Sequence, residues 1–272
     1  MNRSSDWELP VSEASLGRMT RDLDEAHQEA YPRMKARAAE FSEELADTAS
    51  SIAGKRLARR GFLVGGMGVG AALALAACSS SSSGTSGSTA STAAAGSASA
   101  SSASKYVGDL KVVALATALE NQAVGAYQAA LTAATAGKLG TVPAAVATFV
   151  TTAMAQHQDH AKAWNAVLTG TGVPAITGVP LSNQPATLQA LSGAGTVGDV
   201  AKLALSLEDQ AAQTYLFAAA NVSSAGGIST AASIAPVEAM HAAILQFVLG
   251  DYPVPDSFLG TDKAASTTLL TV

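Results

Sequence analysis

The 272-residue chain has a single cysteine, Cys78, so no internal disulfide can brace it. Aromatic residues make up only 5% of it, which leaves alanine, leucine and valine to build the core. The net charge is −5 and no stripe of lysine or arginine runs through residues 105–272. An acidic chain without a basic face argues against nucleic acid as a partner. Residues 79–104 carry no large apolar side chain and cannot form a core. Their Ser, Ala, Gly and Thr content reads as a flexible linker.

What remains divides unevenly. Residues 1–58 are a charged extension, expected on the cytoplasmic side, with helices on either side of Pro32 and translation starting at Met1, Met19 or Met34. His27 reads as a solvated surface residue there. Residues 59–78 run from Arg59 and Arg60 through a glycine-bearing apolar stretch to "LAAC". A basic start, an apolar middle and small residues before a cleavage point describe an export signal. Arg59 and Arg60 followed by "GFL" resemble a twin-arginine signal, and "LAAC" is similar to a lipobox, in which Cys78 takes the lipid. An uncleaved membrane anchor and ordinary cleavage are the alternatives. Each places residues 105–272 outside the cytoplasm, at the outer face of the cytoplasmic membrane in the cell envelope.

Residues 105–272 are long enough to bury about 70% of their unfolded surface. Breakers and composition predict four helices: about 108–136, ending near Gly137 and Gly140; about 143–169, with Pro143 in its first turn; about 199–220, capped by Asp199; and about 229–249, ending at Gly250, with Pro236 as a kink or true start. A short helical turn is expected around Leu188 in the long link between the second and third helices. Short links make the first and last pairs antiparallel hairpins, and the long link crosses between them. The predicted fold is an all-α four-helix bundle.

The two hairpins echo each other. "LENQAVGAY" (119–127) is answered by "LEDQAAQTY" (207–215), and "HQDHA" (157–161) by "EAMHA" (238–242), which reads as an internal duplication. Residues 105–272 hold three glutamates, Glu120, Glu208 and Glu238, and three histidines, His157, His160 and His241, all inside these segments. The solvated faces are left to Gln, Asn, Thr, Ser and Asp. Residues three apart lie about 60° apart on one helical face, so His157 with His160, and Glu238 with His241, can address one point. Tyr127 and Tyr215 share the faces of Glu120 and Glu208 and read as packing residues with a hydroxyl partner at the site's edge. Carboxylate and imidazole together suit iron, manganese or zinc, and a cation would offset the cost of burying several charges.

Together these residues resemble the ferritin-like di-iron carboxylate family, in which two helices each give a Glu and two give Glu-x-x-His. By that resemblance Glu120 and Glu208 are the single glutamates, Glu238 and His241 one Glu-x-x-His, and His160 the histidine of the other. The family's remaining glutamate is His157 here. Three carboxylates leave two divalent ions with one positive charge unbalanced, and an imidazole nitrogen has one lone pair where a carboxylate can bridge. Either two metals persist with Glu238 bridging, or one ion binds with His157 as a terminal ligand. The resemblance implies an exported, membrane-tethered protein that oxidises iron(II) or disposes of oxygen species, with pairing into a homodimer left open. The alternatives are a non-catalytic envelope scaffold with a degenerate site and a zinc hydrolase, which would need an open coordination position.

Overall fold

A computed structural model describes residues 7–65 and 104–272, without the side chains of 52–65. The side chains of Arg59 and Arg60, Cys78 and the linker at 79–103 lie outside the described residues. The chain divides into two compact units, residues 1–49 with 105–272, and residues 50–104. Six α-helices are described: α1 (Glu13–Gly65), α2 (Asp109–Thr135), α3 (Ala144–Gly170), α4 (Gln184–Gly193), α5 (Val197–Asn221) and α6 (Ala225–Leu249). Among the described residues there is no strand beyond one isolated bridge, Leu181 to Leu270. The predicted all-α class is therefore observed.

α2 with α3, and α5 with α6, are the two hairpins, joined face to face mainly through α2 and α5. The crossover between them is pinned from below. Asn121 Nδ2 donates to the carbonyls of Ile176 and Gly178, each at 2.9 Å, and Asn165 exchanges two bonds with Ile176. Gln122 Nε2 reaches Gln184 Oε1 at 2.8 Å, fixing the start of α4. The polar letters after Glu120 in the repeat thus serve the crossover rather than solvent.

The helix ends correct three expectations. Thr196, not Asp199, caps α5; Asp199 is the third residue of a reciprocal capping box, accepting from Thr196 N at 3.1 Å while donating its own N–H to Thr196 Oγ1. α6 begins at Ala225, capped by Ser224, and passes through Pro236 without a break. Pro143 is the cap residue of α3 rather than part of its first turn. Gly250, at φ 81°, ends α6 in the left-handed conformation that glycine adopts without penalty. α6 is long and apolar enough to cross a bilayer by composition, yet it is a wall of the bundle and carries Glu238 and His241 in its interior.

The largest departure is α1. One helix runs through Pro32 where two were expected, and from Leu16 to Phe41 one face of it is buried. Leu16, Thr20, Leu23, His27, Met34, Ala38 and Phe41 are all buried. Their three-, four- and seven-residue spacing makes a single seam along the helix. α3 and α6 barely approach each other, and α1 lies along both. Its contacts run in the same direction as α3, from Glu13 at Ala145 through His27 at His160 to Phe41 at Trp164. Against α6 they run the opposite way, from Pro10 at Gly250 to Phe41 at Gly226.

Candidate metal centre

Each of the four long bundle helices delivers one or two polar groups through an alanine-rich inner face. α2 supplies Glu120, α3 His157 and His160, α5 Glu208, and α6 Glu238 and His241. The buried neighbours are small, among them Ala116, Ala123, Ala153, Ala161, Ala211 and Ala242, so the helices come close enough for long polar side chains to meet. All six groups have relative exposures of 0–1%. They form two overlapping quartets: Glu120, His157, His160 and Glu238; and His157, Glu208, Glu238 and His241. Within each quartet the ligand-type atoms lie within 4.8 Å of one another. His157 and Glu238 belong to both.

The distances give the two halves distinct characters. His160 Nδ1 stands 2.9 Å from Glu238 Oε1 and 3.5 Å from Glu120 Oε1. His241 Nδ1 stands 3.0 Å from Glu238 Oε2 and 3.3 Å from Glu208 Oε2. His157 lies between, with Nδ1 2.7 Å from Glu120 Oε2 and Nε2 3.0 Å from Glu208 Oε1. Both its nitrogens therefore face carboxylates, one from each hairpin.

The electrostatics follow from this crowding. Burial alone would raise the Glu120 carboxyl, but His160 beside it and a hydrogen bond from His157 hold it down at about 2. Burial would lower His160, yet Glu120 and Glu238 push it up to about 9. His157 is likewise raised well above the usual imidazole range against burial, by Glu208, Glu238 and Glu120. His241 is raised against burial by Glu208 and Glu238. Glu208 is held well below the carboxylate range, despite burial, by His157 and His241.

The tyrosines cross over between hairpins. Tyr127 of α2 donates to Glu208 of α5, and Tyr215 of α5 donates to Glu120 of α2. Burial, then the neighbouring carboxylates, push both phenols well above their usual range, so both remain donors. Trp164 Nε1 donates to Tyr215 Oη at 2.8 Å, and the two rings stack at 6.1 Å. Asp159 points away from the cluster, towards Lys162 and His27.

Two residues were not anticipated. Gln156 Oε1 lies 2.9 Å from His241 Nε2; accepting a hydrogen bond there keeps Nδ1 facing Glu208 and Glu238. Gln122, Gln156 and Gln213 are all buried, so glutamine does not mark the solvated face. His27 is 3% exposed rather than solvated. Its ring centroid is 5.3 Å from that of His160, and its Nε2 is 3.7 Å from Asp159 Oδ2. The signal for Gln156 was its place four residues before His160, on the same face. For His27 it was its place on the α1 seam.

The donor set fits a transition-metal ion. His160 Nδ1 and Glu238 Oε1 are buried without a hydrogen-bond partner, although they stand 2.9 Å apart. An imidazole nitrogen and a carboxylate oxygen this close, without hydrogen-bonding geometry between them, are spaced as adjacent ligands of one ion are. Ligands about 2.1 Å from an ion at right angles stand about 3.0 Å apart.

A family model for a ferritin-like domain matches residues 108–251, more than half of the chain. The chain belongs to the ferritin-like domain family, as the repeated motifs had implied. Searches of curated proteins and of solved structures returned no match.

Proposed function

We propose that this protein binds one or two transition-metal ions, iron foremost and manganese or zinc by the same donors, at the six-residue centre. Its task is the oxidation of iron(II) or the disposal of oxygen species. Glu120, His160 and Glu238 would hold one ion, and Glu208, His241 and Glu238 the other, with His157 between them. The observation that carries this reading is the unpartnered pair His160 Nδ1 and Glu238 Oε1. A bound iron ion would supply one-electron exchange with dioxygen species. The chain's own part is to fix the donors. Tyr127 and Tyr215 each tie down a carboxylate, Gln156 sets the tautomer of His241, and the alanine faces exclude water. His157 is the imidazole that reaches both Glu120 and Glu208.

Arg59 with Arg60, the apolar run after them and Cys78 support export and tethering of the protein at the cell envelope, with residues 1–49, which fold with 105–272, carried to the same side rather than kept in the cytoplasm. A second reading, a scaffold whose metal site has decayed, is favoured by His157 itself. Three imidazolium groups can neutralise three carboxylates, so the cluster can persist without a cation. Elemental analysis of the purified full chain separates the two. About two iron or manganese ions per chain, lost in Glu238→Ala, supports the first. A metal content near zero in both chains overturns it.

A further inference from the structure

The metal centre is sealed on every side, so an ion must enter through a wall that yields. The walls are not equivalent. α2 with α3 and α5 with α6 are hairpins closed by short loops, and α2 packs on α5. The α3–α6 side has no such closure and, among the described residues, is covered by α1.

We propose that this α3–α6 face is a docking surface whose occupant is residues 7–49 of the same chain, and that this segment is the removable wall of the metal centre. The surface is shaped for it. A Cβ on Gly226 would lie 2.7 Å from the backbone nitrogen of Phe41, and one on Gly227 would lie 2.9 Å from its ring. Beyond that face, at the start of α5, a Cβ on Gly198 would lie 2.7 Å from Trp7 Nε1. The helix ends are also complementary. Glu13 Oε2 accepts from Ala145 N at 3.2 Å in the first turn of α3, which has no side-chain cap of its own. Glu44 Oε2 accepts from Gly226 N at 3.2 Å in the first turn of α6. Carboxylates are favourable at both places, because helix N-termini expose amide hydrogens and a partial positive charge. Between these clamps His27 lies over His160, one of the residues proposed to bind metal.

The inference rests on the metal-binding reading only for what passes through the wall; the wall itself is testable without metal. In the full chain, Gly226→Leu pushes α1 away where its backbone is closest and replaces a helical glycine with a better helix former, so α6 is not weakened. The expected result is at least a tenfold faster carbethoxylation of His160 by diethyl pyrocarbonate, and at least a tenfold faster loss of zinc to a chelator, at unchanged helix content. Faster exchange of α1 amides with neither change would overturn the proposal. If the variant misfolds or keeps α1 seated, hydrogen exchange of the unaltered chain decides. The seated residues of α1 should then exchange as one block ahead of α2, α3, α5 and α6, and protection equal to theirs would overturn the proposal. Should neither chain bind zinc, the metal reading falls, while His160 labelling still settles the wall.

Discussion

Zinc(II), a redox-silent probe, should bind the full chain more tightly as pH rises, and by a calculable amount. A metal ion needs the lone pair that a proton occupies on each imidazole. His160 is held at about 9, two units above neutrality, so freeing its nitrogen at pH 7 costs about 2.7 kcal/mol, roughly a hundredfold in affinity. His157 and His241 are raised as well. Each proton displaced adds one unit of slope to a plot of log association constant against pH, so a slope of about two to three is expected between pH 6 and 8. Chelator competition across that range gives the slope, and calorimetry in buffers of different ionisation enthalpy counts the protons released. The metal-free chain should respond the other way. His160 is raised from 6.5 to about 9, so its contribution to stability is complete below pH 6.5 and is lost as pH rises through about 9. Glu120 is depressed from 4.5 to about 2, so its contribution is complete above pH 4.5 and is lost as pH falls through about 2. Zinc affinity that is flat with pH, or release of less than one proton, would refute the reasoning that these imidazoles are both charged and ligating.

Three further outcomes follow from single contacts. His157→Glu removes the imidazole facing Glu120 and Glu208 and adds a fourth carboxylate. The metal-free chain should lose about 3–5 kcal/mol in urea unfolding, and saturating zinc should restore most of it; an equal loss with and without zinc would contradict the shared-site geometry. Tyr215→Phe removes the acceptor of Trp164 and a donor to Glu120, costing about 1–3 kcal/mol; Tyr127→Phe breaks one bond and should cost less, which paired urea titrations would show. Phe41→Ala takes a fully buried ring from the edge of Trp164 and should weaken the seating of α1 by about 3–5 kcal/mol. Hydrogen exchange of the α1 amides reads this directly, and unchanged protection would contradict the packing.

The bundle and the convergence of its six polar groups were legible because two independent regularities agree. Helical spacing put His157 with His160 and Glu238 with His241 on shared faces, and the duplicated segments put Glu120 and Glu208 at matching depths. What spacing could not show was partnership across helices. That Tyr127 serves Glu208, and Tyr215 serves Glu120, depends on how the hairpins face each other. Gln156 was hidden by its chemistry, since an uncharged amide carries no desolvation warning in a sequence. α1 was misread for a related reason. Its charged residues dominate the composition, while the seam from Leu16 to Phe41 uses few large apolar side chains and includes Thr20 and His27. A stripe that poor becomes a packing face only when a glycine-lined surface such as that around Gly226 and Gly227 is there to receive it.

The seam also changes what a cut at Cys78 would produce. Residues 1–49 and 105–272 form one compact unit, so a cut between residues 49 and 105 separates two pieces that pack together. Proteolysis there would not free a domain from a discarded leader. It would leave a nicked pair of polypeptides, clasped by one helix, and the fate of the shorter piece would follow from how strongly it grips.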